Sequence, residues 1–237
     1  MNDGTNDAAT PRVEPRVEPQ TPATLAALIA SLAVAAREPG PRAAARAAVR
    51  LGIDGPSEPD TGALADAAAE ALRDLGVPVA RVRALDFLRA RSLRLEYGSG
   101  DPEAFYDGWY DVAALRREVL DPLGPGGSMA WLPRLRDPVT DRSVREGPRT
   151  AAPGTVAVLD GRFLGREPLR GGLDVLVHLD VTPAARARRV PPAEAPGVLP
   201  AWQRYLDECA PAAGADLVVR YDHPDRPAVV VRVTGPR

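Results

Sequence analysis

Residues 52–72 read "GIDGPSEPDTGALADAAAEAL". A short apolar run closes on Asp54-Gly55, a turn follows, and the remainder is rich in alanine and leucine at helical spacing. In α/β proteins a phosphate-binding loop sits between a strand and a helix in this way. Here the turn carries Glu58, Pro59 and Asp60. Residues 61–75 are expected to form the helix, with Asp60 as its N-cap and Gly76 as its stop. From these residues alone, an ordinary capped turn and an altered phosphate loop both remain open.

Strand and helix signals alternate on either side. "AAVRLGID" (47–54), "PVARVRAL" (78–85), "TVAVLD" (155–160), "LDVLVHLD" (173–180), "ADLVVRYD" (215–222) and "AVVVRV" (228–233) read as strands. Short helices are expected near 102–107, 112–121, 182–189 and 198–209. "ATLAALIASLAVAAREPG" is a further helix, closing at Gly40. Residues 1–22 are polar and proline-rich, with the duplication "RVEPRVEP", and are expected to be a disordered tail. The expected division is therefore a tail (1–22), an N-terminal helix and linker (23–45) and one α/β domain (46–237). Such alternation predicts a mainly parallel sheet with helices on both faces, a three-layer sandwich. Ligands of these folds sit at the carboxyl ends of the strands. That places Asp54-Gly55, Leu85-Asp86-Phe87 and Asp160-Gly161 on the rim of one cleft. Residues 121–150 break the alternation, and their turn signals predict a β-hairpin arm.

Bulk properties narrow the function. The chain has 237 residues, 45% hydrophobic, with a net charge of -2, so electrostatics favours neither nucleic acid nor a membrane surface. Cys209 is the single cysteine, which excludes internal disulfides and cysteine-built metal sites. No apolar run is long enough to span a bilayer and the N-terminus lacks a signal-peptide core, so a cytoplasmic protein is expected. All 30 basic residues are arginine. Any mechanism that needs a lysine ammonium is closed to this chain.

"IDGPS" (53–57), "DFL" (86–88), "DPEAFYDGWYDVAALRREVLDPLGPGGS" (101–128), "VLDGRFL" (158–164), "LDVLVHLDV" (173–181) and "RYLDEC" (204–209) together resemble the uridine kinase-like proteins of the P-loop nucleoside kinase superfamily, the actinobacterial type. The resemblance covers roughly residues 46–234 and implies a P-loop kinase-like fold. It also implies ATP and Mg²⁺ as cofactors if the chain is active. The family's phosphate loop starts at Gly55. Its second glycine, lysine and Ser or Thr would stand at 60, 61 and 62, where this chain has Asp60, Thr61 and Gly62. Gly55 and Ser57 remain, and Pro59 has no N–H to offer. Two like charges about 4 Å apart repel by roughly 4 kcal/mol at an effective dielectric of about 20, so Glu58 and Asp60 oppose a triphosphate. A Thr61 hydroxyl, a divalent metal or an arginine from elsewhere are the ways left to rescue phosphate binding.

The family's second landmark is a carboxylate base in an Asp-x-Phe motif. Here its place is taken by Leu85, which leaves Asp86 as the candidate base beside Phe87. On the nucleoside side the resemblance implies Phe87, Arg94, Glu96 and Tyr97 as ligand contacts and Phe105, Tyr106 or Trp131 as stacking partners. Six of the eleven aromatic residues lie between 97 and 131, which supports either a stacking site or a local core. Gly100 stands where the family often has a ribose-binding aspartate. Asp160 is the metal candidate, and Arg186, Arg188 and Arg189 open a lid segment that is cut short. His178 reads as core, and His223 lies where the family binds adenine.

Three functions follow. One is a degenerate nucleoside kinase, which keeps a nucleoside or metabolite pocket, or a protein partner, without ATP turnover. The second is an active uridine or cytidine kinase using arginines and Asp86. The third is a metal-dependent enzyme with Glu58, Asp60, Asp86 and Asp160 as an acidic rim. A homo-oligomer is compatible with each.

Overall fold

The computed structural model describes residues 16–37 and 47–231. Its first elements are β1 (Arg16–Pro19), α1 (Pro22–Ala35), β2 (Val49–Asp54), α2 (Glu58–Asp74) and β3 (Val79–Arg83), followed by a tight turn, Ala84–Phe87. Short helices come next: α3 (Arg91–Arg94), α4 (Pro102–Gly108), α5 (Val112–Leu115) and α6 (Asp121–Leu123). Then come β4 (Ala130–Trp131), β5 (Arg149–Thr150), β6 (Val156–Gly161) and β7 (Val175–Asp180). The chain continues through α7 (Pro183–Arg189), α8 (Ala195–Cys209), α9 (Pro211–Gly214), β8 (Leu217–Arg220) and β9 (Ala228–Val231).

Seven strands form one sheet in the order β1-β9-β8-β7-β2-β6-β3. The five strands from β8 to β3 are mutually parallel, and β9 and β1 extend the β8 edge antiparallel. This is the expected three-layer α/β arrangement. Alternate residues of β6 supply two cores: Val156 and Val158 face one side, Ala157 and Leu159 the other. On the first side α1 and α2 contribute Leu25, Ile29, Leu64 and Leu72. On the second, α4, α5 and α8 contribute Phe105, Leu115 and Trp202. Burial on both faces explains why these strands read as unbroken apolar runs. The hairpin arm is present as the antiparallel pair β4–β5, only two residues per strand.

Three expectations need correction. Residues 16–22 are not part of a featureless tail, because Arg16–Pro19 pairs with β9 and Gln20 N donates to Pro227 O at 2.8 Å. The edge of β9 offers unpaired backbone groups, and a polar segment with one valine is sufficient to satisfy them. The rest of that tail, residues 1–15, lies outside the described residues. The N-terminal helix closes at Ala35, and its expected stop, Gly40, lies outside the described residues, as does the rest of the linker. Finally, α2 starts at Glu58, with Ser57 as the N-cap residue, so Asp60 lies within the first turn. Pro59 needs no N–H partner there, and Glu58 and Asp60 are favoured by the positive end of the helix dipole. The other end behaves as expected: Gly76 has φ +71° and Val77 N donates to Leu72 O at 3.0 Å.

Among the described residues no helix is long and apolar enough to cross a membrane. Helix α1 belongs to the sheet's own core, since Leu25, Ile29, Ala30 and Ala33 are all buried within it. Ile29→Ala is therefore expected to lower stability by about 2–4 kcal/mol, measured by urea denaturation.

Candidate functional site

The sheet brings the expected rim together. Asp54 is in register with Gly161, and Arg83 with Asp160, so the ends of β2, β6 and β3 are neighbours. Gly55 is needed for close approach: a Cβ there would lie 2.9 Å from Thr61 Cγ2 and 3.1 Å from Leu179 Cβ. Only Gly55, Pro56 and Ser57 separate β2 from α2. Residues 58–62, which the resemblance assigns to a phosphate loop, are the first helical residues. Thr61 N donates to Ser57 O at 3.0 Å and Gly55 N to Gly161 O at 3.3 Å, so both donors are engaged within the chain.

Each rim carboxylate meets an arginine of its own. Glu58 Oε1 lies 3.5 Å from Arg162 Nη1 and accepts the Tyr110 hydroxyl at 2.5 Å. Asp60 Oδ2 accepts Arg189 Nη1 at 2.8 Å. Asp86 takes the fork of Arg83, Nε at 3.1 Å and Nη2 at 2.9 Å, with Arg134 Nη2 3.7 Å away. Asp160 accepts Arg81 Nη1 at 2.6 Å and the Thr61 hydroxyl at 3.2 Å. The expected common acidic rim is thus divided into separate pairs. Among the described residues no group of three or more His, Cys, Asp or Glu side chains is placed to hold a metal.

Burial pushes the Asp160 carboxyl above the ordinary carboxylate range, although Arg81 and the Thr61 hydroxyl pull it down; the Glu58 charge adds to the push. The Tyr110 hydroxyl is raised well above its usual value, first by burial and then by Glu58, so it remains a donor.

Deeper in, Asp54 is fully buried and fully satisfied. It meets His178 Nδ1 at 2.7 Å, accepts the Tyr205 hydroxyl at 2.8 Å and accepts Leu164 N at 3.0 Å. Tyr205 also accepts Gly165 N at 2.8 Å. His178 is 1% exposed and lies parallel to the Trp202 ring, as a core histidine. Sequence reasoning missed this cluster, and it missed Arg81, Arg83 and Arg162 as partners of the rim acids. The available signal was an acid and a histidine on two apolar strands, but strand order is needed to see them as neighbours.

The nucleoside-side candidates do not converge on one open pocket. Phe87, Phe105, Tyr106 and Trp131 are each 5% exposed or less and belong to one core cluster. Phe105 packs on Trp109 at 4.1 Å between ring centres, and the Tyr106 hydroxyl donates to Glu208 at 3.0 Å. Arg94 is buried over the Trp109 ring and bonds to Arg89 O at 2.9 Å and Asp141 at 3.3 Å. Glu96 and Tyr97 lie on an exposed turn. In α7, Arg186 is buried, Arg188 is exposed and Arg189 is held by Asp60. A cavity of about 850 Å³ opens at the other end of the sheet, beside Ala48, Val49, Met129 and Thr155.

No family model and no curated protein matches this chain. Solved structures do. A possible uridine kinase from Bacillus stearothermophilus aligns with TM-score 0.65 and 22% identity, over 82% of this chain and 97% of that one. A protein described as a fructose transport system kinase from Silicibacter sp. TM1040 gives 0.52 and 22%, over 79% and 89%. D-glycerate 3-kinase from Cryptococcus neoformans var. grubii gives 0.50 and 14%, over 70% and 76%. The fold is that of the uridine kinase-like P-loop kinases.

Two outcomes follow from the rim. The raised carboxyl of Asp160 favours folding fully below the ordinary carboxylate range and loses that contribution as pH rises through its raised value. Unfolding free energies of Asp160→Asn and wild type, measured in urea from acid to neutral pH, should therefore diverge in favour of the variant as pH rises. Tyr205→Phe removes a donor from buried Asp54 and an acceptor from Gly165 N, and should cost about 1–3 kcal/mol in the same assay at neutral pH.

Proposed function

We propose that this chain is a degenerate member of the nucleoside kinase fold. On this reading it does not carry out ordinary ATP-driven phosphotransfer, and its remaining ligand is a nucleoside or related small metabolite. The observation that carries the reading is the start of α2 at Glu58. A phosphate loop works by turning successive backbone N–H groups inward around the phosphates, with a lysine beyond them. A helix that begins at Glu58 instead commits the Thr61 N–H to Ser57 O, and Pro59 has no N–H to turn inward. The chain has no lysine to add, and Glu58 and Asp60 bring negative charge to the same place.

The residues present do not fit Mg²⁺ and ATP in the ordinary arrangement. Thr61 stands where the lysine would be, and its hydroxyl bonds to Asp160 and to Glu58 O, both at 3.2 Å. Asp160 is engaged by Arg81. Asp86 is the remaining candidate base, but a base must be free to take a proton, and the Arg83 fork holds it. These contacts favour the degenerate reading over an active kinase. The ligand class is the nucleoside of the uridine kinase-like proteins. Glu96 and Tyr97 are the accessible polar and aromatic groups assigned to it, with Tyr97 73% exposed.

Calorimetric titration of the full chain tests both halves. MgATP should give no saturable binding up to about 1 mM, a free energy of only some 4 kcal/mol. Uridine or cytidine should bind saturably, without phosphorylation when MgATP is added. MgATP binding in the micromolar range with turnover would sink the degenerate reading, and absence of nucleoside binding would remove the ligand assignment.

A further inference from the structure

Exposed apolar side chains are not spread evenly over the surface. Among the described residues four large ones are exposed: Leu75, Leu93, Tyr97 and Val139. The last three lie on α3, on the turn that follows it and on the turn of the arm. Asp141 fastens the arm to α3: its Oδ2 accepts Arg91 N at 2.9 Å, and its Oδ1 lies 3.3 Å from Arg94 Nη2. The turn of the arm is also closed from within, since Asp137 Oδ1 accepts Val139 N at 2.8 Å and Thr140 N at 2.9 Å. Val139 is thus 90% exposed on a turn that is tied down on both counts. Charge is lopsided on the same face. Residues 83–94 and 134–145 carry eight arginines against three acids. Among the described residues the exposed Arg91, Arg142 and Arg145 have no carboxylate partner. Arginine together with exposed apolar groups is the composition of a docking surface.

The fourth exposed apolar side chain marks a face of opposite sign. Leu75 is the C-cap residue of α2, whose outer side carries Asp66, Glu70 and Asp74, all exposed and four residues apart. Like charges at that spacing destabilise a helix by about 0.2–0.5 kcal/mol per pair. Asp74 also stands at the negative end of the helix dipole, where Arg73 is the basic residue. Asp66 meets Arg81 at 2.7 Å, whereas Glu70 and Asp74 have no ion-pair partner among the described residues. Arginines brought against this stripe would offset both penalties. The two faces flank one edge of the sheet. Among the described strands β3 ends the sheet. The Asp66–Arg81 pair ties α2 to β3, and Leu135 N and Arg136 N, each donating to Asp86 O at 2.9 Å, tie the arm to the turn after β3.

We propose that the basic face of α3 and the arm docks on the acidic outer side of α2 in a second copy of this chain, beside β3. Charge complementarity selects the occupant. Each face lacks the counter-charge that the other presents, and all four exposed large apolar side chains fall on one face or the other. A two-fold arrangement uses both faces of both copies, so the assembly closes as a dimer. Arg142 and Arg145 answer Glu70 and Asp74, while Leu75 and Val139 lose water at the contact. The inference makes no use of the phosphate loop and holds whether or not a nucleoside binds.

The test is sedimentation equilibrium of the full chain in about 0.05 M and about 0.5 M sodium chloride, with thermal unfolding to establish that each variant folds. Wild type should be a dimer at about 50 μM in low salt and should dissociate more readily in high salt. E70R/D74R and R142E/R145E should each raise the dimer dissociation constant at least about tenfold, because each places like charges opposite one another. Combining the two reversals restores opposite charges, and the four-residue variant should return to within about threefold of wild type. A wild type that stays monomeric at about 100 μM in low salt overturns the proposal. So does a dimer indifferent to both reversals, or a folded four-residue variant that fails to recover. If a reversal variant does not fold, V139D and L75D carry the test: each should weaken association about tenfold, and no effect overturns the proposal.

Discussion

Carboxylates at the end of β6, in the turn after β3 and in the first turn of α2 can be drawn out of water because each has a guanidinium beside it. Removing a carboxylate from water costs several kcal/mol unless a partner and further hydrogen bonds offset the loss. The four pairs do more than neutralise charge. Glu58 ties α2 to the turn after β6, Asp60 ties α2 to α7, and Asp160 ties β6 to β3. Asp86 braces the turn after β3 and faces Arg134 of the arm. Arginine suits this work, because its planar fork can meet a carboxylate and a backbone carbonyl at once, as Arg162 and Arg189 do. A lysine-free chain has no other strong cation to use.

The same pairing separates the scaffold from the site. The fold is similar to that of kinases named for different substrates, so the architecture carries no substrate assignment. In this chain the strand-end side chains meet one another. Asp54 illustrates this: it lies at the strand end where ligands of α/β folds gather, yet His178, Tyr205 and Leu164 N satisfy it within the protein.

Much of this architecture was legible because its signals are local. Alternating apolar runs and helical spacing located the five parallel strands and α2, and turn residues located the arm. Pro59, Glu58 and Asp60 were harder. As loop residues they spoil a phosphate cradle, and as helix residues they make a favourable first turn. Both descriptions are physically sound, and propensity alone does not choose between them. Phe105, Tyr106 and Trp131 presented a similar ambiguity, since an aromatic cluster serves a stacking site or a core equally well until its burial is known. The polar segment at Arg16–Pro19 gave little strand signal, because what holds it in place is the unpaired edge of β9.

The amino-acid sequence by itself determined the α/β class, the strand ends that form the rim, the absence of any lysine and the acidic residues that closely follow β2. These are properties of composition and short-range pattern, which survive without knowledge of what lies across the sheet. Tertiary structure alone decided that α2 begins at Glu58, that the aromatic cluster is core and which arginine answers which carboxylate. Arg162 and Arg189 are 104 and 129 residues from the acids they meet. Such pairings depend on strand order and helix placement, which bring distant residues together only once the chain has folded.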